Sequence, residues 1–580
     1  MYRLLEDVPD LAHTSLYRAD LGFDRTEVTF VYNGRFGHLS DGRRLRMHEH
    51  FDNGGSVPGS LLLFGKRSTV LWFLEQGQWK LFSEVFGYMD VLKEDRRYYS
   101  VFGSFVNKSV VLASTRRNFD GALTRLFKSR LGDNDQSIER VYRRYQENIF
   151  STNTSLGRYL DRAFRVLRSK MSYALASLED VMAEREAYVN LPHIKRKLRI
   201  AELRRMSEEG LLDSIFTIQS HSMLKRERCK AGKVGRAYVS LGPESPIGFG
   251  YGINRAKSAW SDIWFDGGWF CFCQSTEPDE MNRILRKAAS TRFSYVFFSD
   301  DGILWCDNEC YEIDISSCDS ATYTPVFERM AWLFVGSPMH EKLIRDCIAQ
   351  CKSPIKFRDP QGTFAFSMKG VEPIEKSGVC ITTLLNNVSS FSIMASIHKH
   401  RCTDEESIVN AAALVGHKIT CKKITTLARA RFLACFMYYD DHGVLQTALG
   451  PEVILRGFGS CYMDLPGSVK MYGKWRERAH LWMSAVLSSF VHSGLGLFLC
   501  GLNRSFHRKH TRFKALVDDD VLKHQTIGAR PDVPLEILAQ RYELPLPYLD
   551  HFIQLTHHLQ PGSILRHPVV DRMLSVGYGY

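Results

Sequence analysis

In the stretch YVFFSDDGILWCDNECYEIDISSCDSAT, residues 295–322, carboxylates stand at the ends of strongly apolar runs. Asp300 and Asp301 come first, then Asp314 and Asp319. Carboxylates gathered in one place repel each other. The arrangement becomes favourable when a divalent cation is shared between them. Hard oxygen ligands on neighbouring strand ends, with room for phosphate oxygens, suit Mg2+ or Mn2+. Two such ions can stabilise both the attacking and the leaving oxygen of a phosphoryl transfer.

The elements that must position these groups follow from the local pattern. FSYVFF reads as a strand, SDD as its turn, GILWC as the return strand and ECYEIDI as a third strand. The turn between the last two is Asp307-Asn308, residue types that tolerate the left-handed conformations of a two-residue hairpin loop. Counting outward from that loop, Asp301 falls opposite Asp314. Directly opposed side chains share a face, with Cβ atoms roughly 4.5–5.5 Å apart. Taken alone, Ser-Asp-Asp-Gly reads as a simple polar hairpin turn; the register and the motifs downstream reverse that reading.

Downstream, KSGVCITTLLNNVSSF (376–391) carries Ser377, Gly378, Thr382 and Asn386 in the pattern S-G-x-x-x-T-x-x-x-N. It resembles motif B of viral RNA-dependent RNA polymerases, a glycine-hinged loop running into a helix. DISSCD (314–319) resembles their motif A, and KAGKVGR (230–236) resembles the basic motif F. In most of that family the Asp-Asp motif C follows motif B. Here FFSDDG precedes motif A, so the order F, C, A, B resembles the permuted polymerases of permutotetraviruses and birnaviruses. The birnavirus pattern departs from this one in having Asn where Asp301 stands.

The resemblance implies an α+β fold: a right-hand polymerase of fingers, palm and thumb, with a ferredoxin-like palm sheet in which motif C precedes motif A. It implies RNA-templated RNA synthesis by two-metal-ion nucleotidyl transfer with Mg2+ or Mn2+. Carried over residue by residue, Asp314 and Asp300 are the principal metal ligands with Asp301 beside them. Asp319 and Asn386 recognise the ribose 2′-hydroxyl. Ser377, Gly378 and Thr382 shape the loop under the nascent pair, and Lys230, Lys233 and Arg236 neutralise the triphosphate. The segment ESIVNAAALVGHKITCKK (406–423) resembles motif D, with Lys422 or Lys423 as proton donor and Lys418 competing. ARFLACFMYY (430–439) resembles motif E. The implied partners are RNA template and product, nucleoside triphosphates and other viral replication or capsid proteins. The implied setting is the host cytoplasm, within a virion or a replication complex.

A second acidic pair, Asp440 and Asp441 in FMYYDDHG (436–443), looks like the Tyr-x-Asp-Asp of reverse transcriptases. It falls after the segments resembling motifs D and E, too late for motif C, and reads as a turn. A reverse transcriptase using that pair and a non-catalytic RNA-binding virion or scaffold protein are the competing readings.

The whole chain has 580 residues, a formal net charge of +12 and a pI near 9.0. A basic surplus suits a polyanionic partner. The 14 cysteines include no C-x2-C pair, so no zinc pattern is offered. The N-terminus MYRLLEDVPD has no apolar signal region. Residues 136–210 read as charged helix ending in HIKRKLRIAELRRM, and 220–330 as strands with Gly-rich turns. The uncharged run 483–502 is diluted by Ser, Gly and His, which favours a buried helix or strand pair over a membrane segment. The expected division is 1–215 for the N-terminal extension and fingers, 216–440 for fingers and palm with motifs F, C, A, B, D and E, and 441–580 for the thumb and C-terminal helical region.

Overall fold

A computed structural model describes residues 136–176, 180–191, 196–213, 220–224, 228–230, 237–241, 244–274, 277–334, 338–358, 364–368, 378–457, 493–506, 530–559 and 567–578. To these it adds isolated residues between them and short strand segments before residue 112. The fold is α+β. Its first half carries α1 (Gln136–Gln146), α2 (Ser155–Leu175), α3 (Val181–Asn190), α4 (Arg196–Glu208), β1 (Ser220–Leu224), β2 (Ala237–Ser240), α5 (Glu244–Ser258), β3 (Ile263–Phe265), β4 (Gly268–Phe272) and α6 (Pro278–Ala289). Then come β5 (Phe293–Phe298), β6 (Asp301–Cys306), β7 (Glu309–Ile315), α7 (Thr324–Leu333), α8 (Pro338–Lys352), β8 (Ile355–Arg358), β9 (Phe364–Met368), α9 (Thr382–His400), α10 (Glu405–Ala413) and β10 (Ile419–Ile424). The hairpin β11 (Cys435–Tyr439) and β12 (Leu445–Leu449) leads into α11 (Pro451–Gly457), α12 (Gly496–Phe506), α13 (Leu535–Tyr542), α14 (Leu546–Thr556) and α15 (Pro568–Tyr578).

The central sheet has six strands in the order β3-β4-β5-β6-β7-β10, antiparallel at every junction except β4 with β5. A second sheet has the order β2-β1-β8-β9. The runs FSYVFF and GILWC lack polar alternation because their strands are covered on both faces. Tyr295, Phe297, Leu304 and Ile313 face one core, shared with Phe164 of α2, Ile247 of α5 and Val388 and Phe391 of α9. Val296, Ile303 and Trp305 face a second core with Leu285 of α6, Phe436, Ile454, Leu499, Phe552 and Val570. Each fully buried Leu or Phe contributes roughly 1.5–3 kcal/mol through burial, so the sheet is held from both sides. The second core is also pinned by charge. Arg541 of α13 pairs with Glu452 of α11 at 3.0 Å and donates to the carbonyls of Ala428 and Ala430 at 2.8 and 2.9 Å.

Local signals explain several boundaries. Thr154 caps α2 by accepting from the Gly157 amide, Pro278 opens α6, and Asp404 with Ser407 forms a capping box on α10. The strand reading of 220–330 needs correction, because α5 and α6 interrupt it. The glycines that read as turns lie inside α5, where they permit close packing. A Cβ on Gly250 would stand 2.5 Å from the Tyr188 ring, and one on Gly252 would stand 2.3 Å from Leu343 Cδ2. The helix α12 begins within the 483–502 run and buries Phe498, Leu499 and Leu502. Among the described residues no helix is long and apolar enough to cross a membrane.

Candidate active site

The β5–β6–β7 meander builds the acidic site. Phe298 pairs with Asp301, so the first turn holds only Ser299 and Asp300, one residue tighter than SDD. Ser299 takes a φ of 59° there. The second turn, Asp307-Asn308, has φ of 48° and 70°, the left-handed pair that such a loop demands. With both turns at two residues, Asp301 pairs directly with Asp314. Asp314 in turn pairs with Thr420 of β10, giving a row of Asp301, Asp314 and Thr420 on one face of the sheet. The next row on that face is Ile303, Glu312 and Lys422. Asp300 lies in the turn above, and its carbonyl accepts from the Ile315 amide at 3.0 Å, which fixes the turn against the end of β7.

The electrostatics are those of crowded like charges. Surrounding protein raises the Asp301 carboxyl, and the charges of Asp300 and Asp314 raise it further, to about 7; Arg431 opposes them. Asp314 is raised as well, first by burial and then by Asp300. Both residues are nonetheless exposed, which tempers the crowding and leaves like-charge repulsion as the part a cation would cancel. Among the described residues no three His, Cys, Asp or Glu side chains close around one point. An open pair of opposed carboxylates nevertheless suits Mg2+, which keeps several waters and is often held by one or two carboxylates plus substrate phosphates.

The helix α9 approaches the same turn from the other side. Asn386 is buried, and its amide donates to the Ser299 hydroxyl at 2.7 Å while its carbonyl oxygen accepts from the Cys318 thiol at 3.2 Å. Ser390 donates to the Ser299 carbonyl at 2.6 Å. Asp319 sits in a single 3-10 turn, Cys318–Ser320, next to the cysteine that Asn386 holds. The two residues expected to share a ribose hydroxyl are therefore neighbours, and the Asn386 amide is satisfied at both ends by protein groups, as a buried amide requires. Gly378 has a φ of 105°, and a Cβ there would lie 2.7 Å from the Val239 carbonyl of β2. Only glycine fits that approach. Thr382 opens α9 and donates to the Lys376 carbonyl at 3.0 Å.

The remaining expected residues divide. Lys422 lies on the acidic face, beside Glu312. Lys423 projects to the opposite face and pairs with Glu309 at 2.6 Å, and Lys418 is exposed before β10. Ser377, Lys233 and Arg236 lie outside the described residues. Lys230 ends a strand, Arg228–Lys230, that pairs with Ser109–Val111. Asp440 and Asp441 lie between β11 and β12, in a hairpin that is not part of the six-stranded sheet. There Asp440 accepts from the amides of His442 and Val444 at 3.0 and 2.9 Å and from Gln446 at 2.8 Å.

Sequence reading missed Ser299 and Ser390, although Ser390 stands one helical turn beyond Asn386, where the shared face could have pointed to it. It also missed Gln146 of α1, a buried side chain that donates to Gly416 at 3.1 Å and accepts from the Tyr323 amide at 3.1 Å. Gln146 thereby ties the segment after Asp319 to the loop that leads into β10.

No family model and no curated protein matches the chain. Among solved structures it is similar to the X-ray structure of the birnavirus VP1–VP3 complex, with a TM-score of 0.36 and 11% sequence identity over 64% of this chain and 56% of that one. The chain thus spans little more than half the length of that structure's chain.

Proposed function

We propose that the protein is an RNA-directed RNA polymerase whose motif C precedes motif A. Asp300 in the first turn, Asp301 at the start of β6 and Asp314 on β7 form its metal-binding cluster. The observation that carries this reading is the direct pairing of Asp301 with Asp314, with Asp300 in the adjoining turn. When bound there, Mg2+ or Mn2+ supplies charge stabilisation at the attacking and leaving oxygens of nucleotidyl transfer. The chain's own residues orient that chemistry. Asp301 and Asp314 provide opposed oxygen ligands, Asn386 and Ser390 hold the turn that carries Asp300, and Lys422 lies on the acidic face as the candidate proton donor to pyrophosphate. Asp319 and Asn386 would together read the ribose 2′-hydroxyl.

In this reading residues 1–215 are the N-terminal extension and fingers, 216–440 the palm with part of the fingers, and 441–580 the thumb. The partners are RNA, nucleoside triphosphates and other viral replication or capsid proteins, in the host cytoplasm. The reverse-transcriptase reading is disfavoured because the Asp440 oxygens are taken up by their own turn. The test is primer extension on an RNA template with ribo- and deoxynucleotides and with Mg2+ or Mn2+. Purified wild type should extend with ribonucleotides. Asp314→Ala and Asp300→Ala, folded by circular dichroism, should each lose incorporation by several orders of magnitude. Near-normal activity in either variant removes the assignment.

A further inference from the structure

At the opposite end of α9 a cavity of about 390 Å3 opens between that helix and the first turns of α2. Its lining includes Ser155, Arg158, Tyr159, Asp161, Arg162 and Lys399. Among the described residues no carboxylate neutralises the three cations. Arg158 donates only to the backbone carbonyls of Thr152 and Asn153, at 3.1 and 3.3 Å. Arg162 lies over the rings of Tyr159 and Phe265, and Lys399 over Tyr159. Among the described residues none of the three has a carboxylate within ion-pair distance. The negative charge on the wall is already answered, since Asp161 pairs with Arg165 at 2.8 Å and faces Arg329 at 3.5 Å. Asp266, nearby, accepts the Tyr159 phenol at 3.0 Å, while the Tyr159 oxygen also meets His398 at 2.8 Å.

We propose that this cavity holds phosphate groups of an RNA strand outside the acidic cleft. Three unneutralised cations and a serine hydroxyl around one opening match a ligand carrying more than one phosphate. The recognition is of backbone and not of base, because cations already lie over the ring of Tyr159, where a base would stack. From Asn386 to Lys399 the helix runs about 20 Å, so the cavity serves a different stretch of strand from the one at the acidic row. The identity of the polyanion as RNA rests on the polymerase reading; the cationic cavity does not.

The test is binding of a labelled single-stranded RNA to the full chain in EDTA, followed by fluorescence anisotropy between about 50 and 200 mM salt. The triple variant R158Q/R162Q/K399Q should bind about tenfold more weakly, and its log–log salt slope should be shallower by about 2. The charge-preserving variant R158K/R162K/K399R should keep the wild-type slope. A glutamine variant with the wild-type affinity and slope overturns the site, and so does an equal loss in both triple variants. Displacement of the RNA by ATP from wild type but not from the glutamine variant would make free nucleotide the ligand and overturn the assignment to RNA. A chain that makes no polymer yet shows the slope difference removes the polymerase reading and leaves the phosphate site standing. Polymer synthesis with no slope difference does the reverse.

Discussion

Asn386, on the helix, holds Ser299, in the turn that carries Asp300: the amide of one donates to the hydroxyl of the other at 2.7 Å. Ser390 secures the same turn through its carbonyl. These contacts make the helix a brace for Asp300 and Asp301, and Ser390 a positioning residue. Ser390→Ala should lower kcat for single-nucleotide incorporation about tenfold, the effect of one hydrogen bond, with KM nearly unchanged. Ser390→Thr, which keeps the hydroxyl, should restore most of it. Asn386→Ala should in addition narrow the ribo- to deoxynucleotide ratio of kcat/KM. An unaltered kcat in Ser390→Ala would show that the turn needs no brace.

The row of carboxylates sets a pH dependence in metal-free protein. The folded-state value of Asp301 is raised to about 7, above the ordinary carboxylate value of the unfolded chain. The native state therefore holds a proton more tightly, and its extra stability is present at low pH and lost as pH rises toward 7. Mg2+ should raise Tm more at pH 8 than at pH 6, since it binds the ionised pair. In Asp301→Asn the metal-free protein should be steadier at pH 8 and the Mg2+ effect much smaller. Melting curves with an unchanged Mg2+ shift in that variant would count against a shared cation.

The later acidic pair should prove structural. Asp440 satisfies two backbone amides and Gln446, so Asp440→Ala with Asp441→Ala should lower the urea midpoint slightly and leave incorporation largely intact. Lost chemistry in a folded double variant would mean that the other Asp-Asp pair carries the reaction.

Acid should act through His417. It is fully buried between α10 and β10, neither ring nitrogen has a hydrogen-bond partner among the described residues, and burial lowers its pKa to about 4. Its folded-state value lies below the unfolded one, so its contribution is complete above about pH 6.5 and fades as pH falls toward 4. The amount is about 3 kcal/mol, and His417→Leu should flatten that limb of the stability curve. A variant with the wild-type acid limb would place the loss elsewhere.

What could be read from the sequence was local. The Asp301–Asp314 pairing followed from Asp307-Asn308, because two left-handed residues admit one loop length and so one register. The brace from Ser390 and the clamp from Gln146 were not. They join residues far apart in the chain through side chains of ordinary type, and no periodicity marks them. The helix α5 was hidden by glycines whose purpose is packing against Tyr188 and Leu343, which lie on other elements.

The uninterrupted meander from Phe293 to Ile315 also bears on how the molecule assembles. Asp300, Asp301 and Asp314 lie inside one run of two short hairpins, so bringing them together closes only very small loops. Had the Asp-Asp pair stood beyond α9 in the chain, the helix that carries Asn386 would separate the carboxylates and a longer loop would have to close first. Low contact order favours early formation, and synthesis proceeds from the N-terminus. The acidic row can thus take shape on the ribosome before α9 has emerged, with the helix arriving afterwards to lock a turn that already exists.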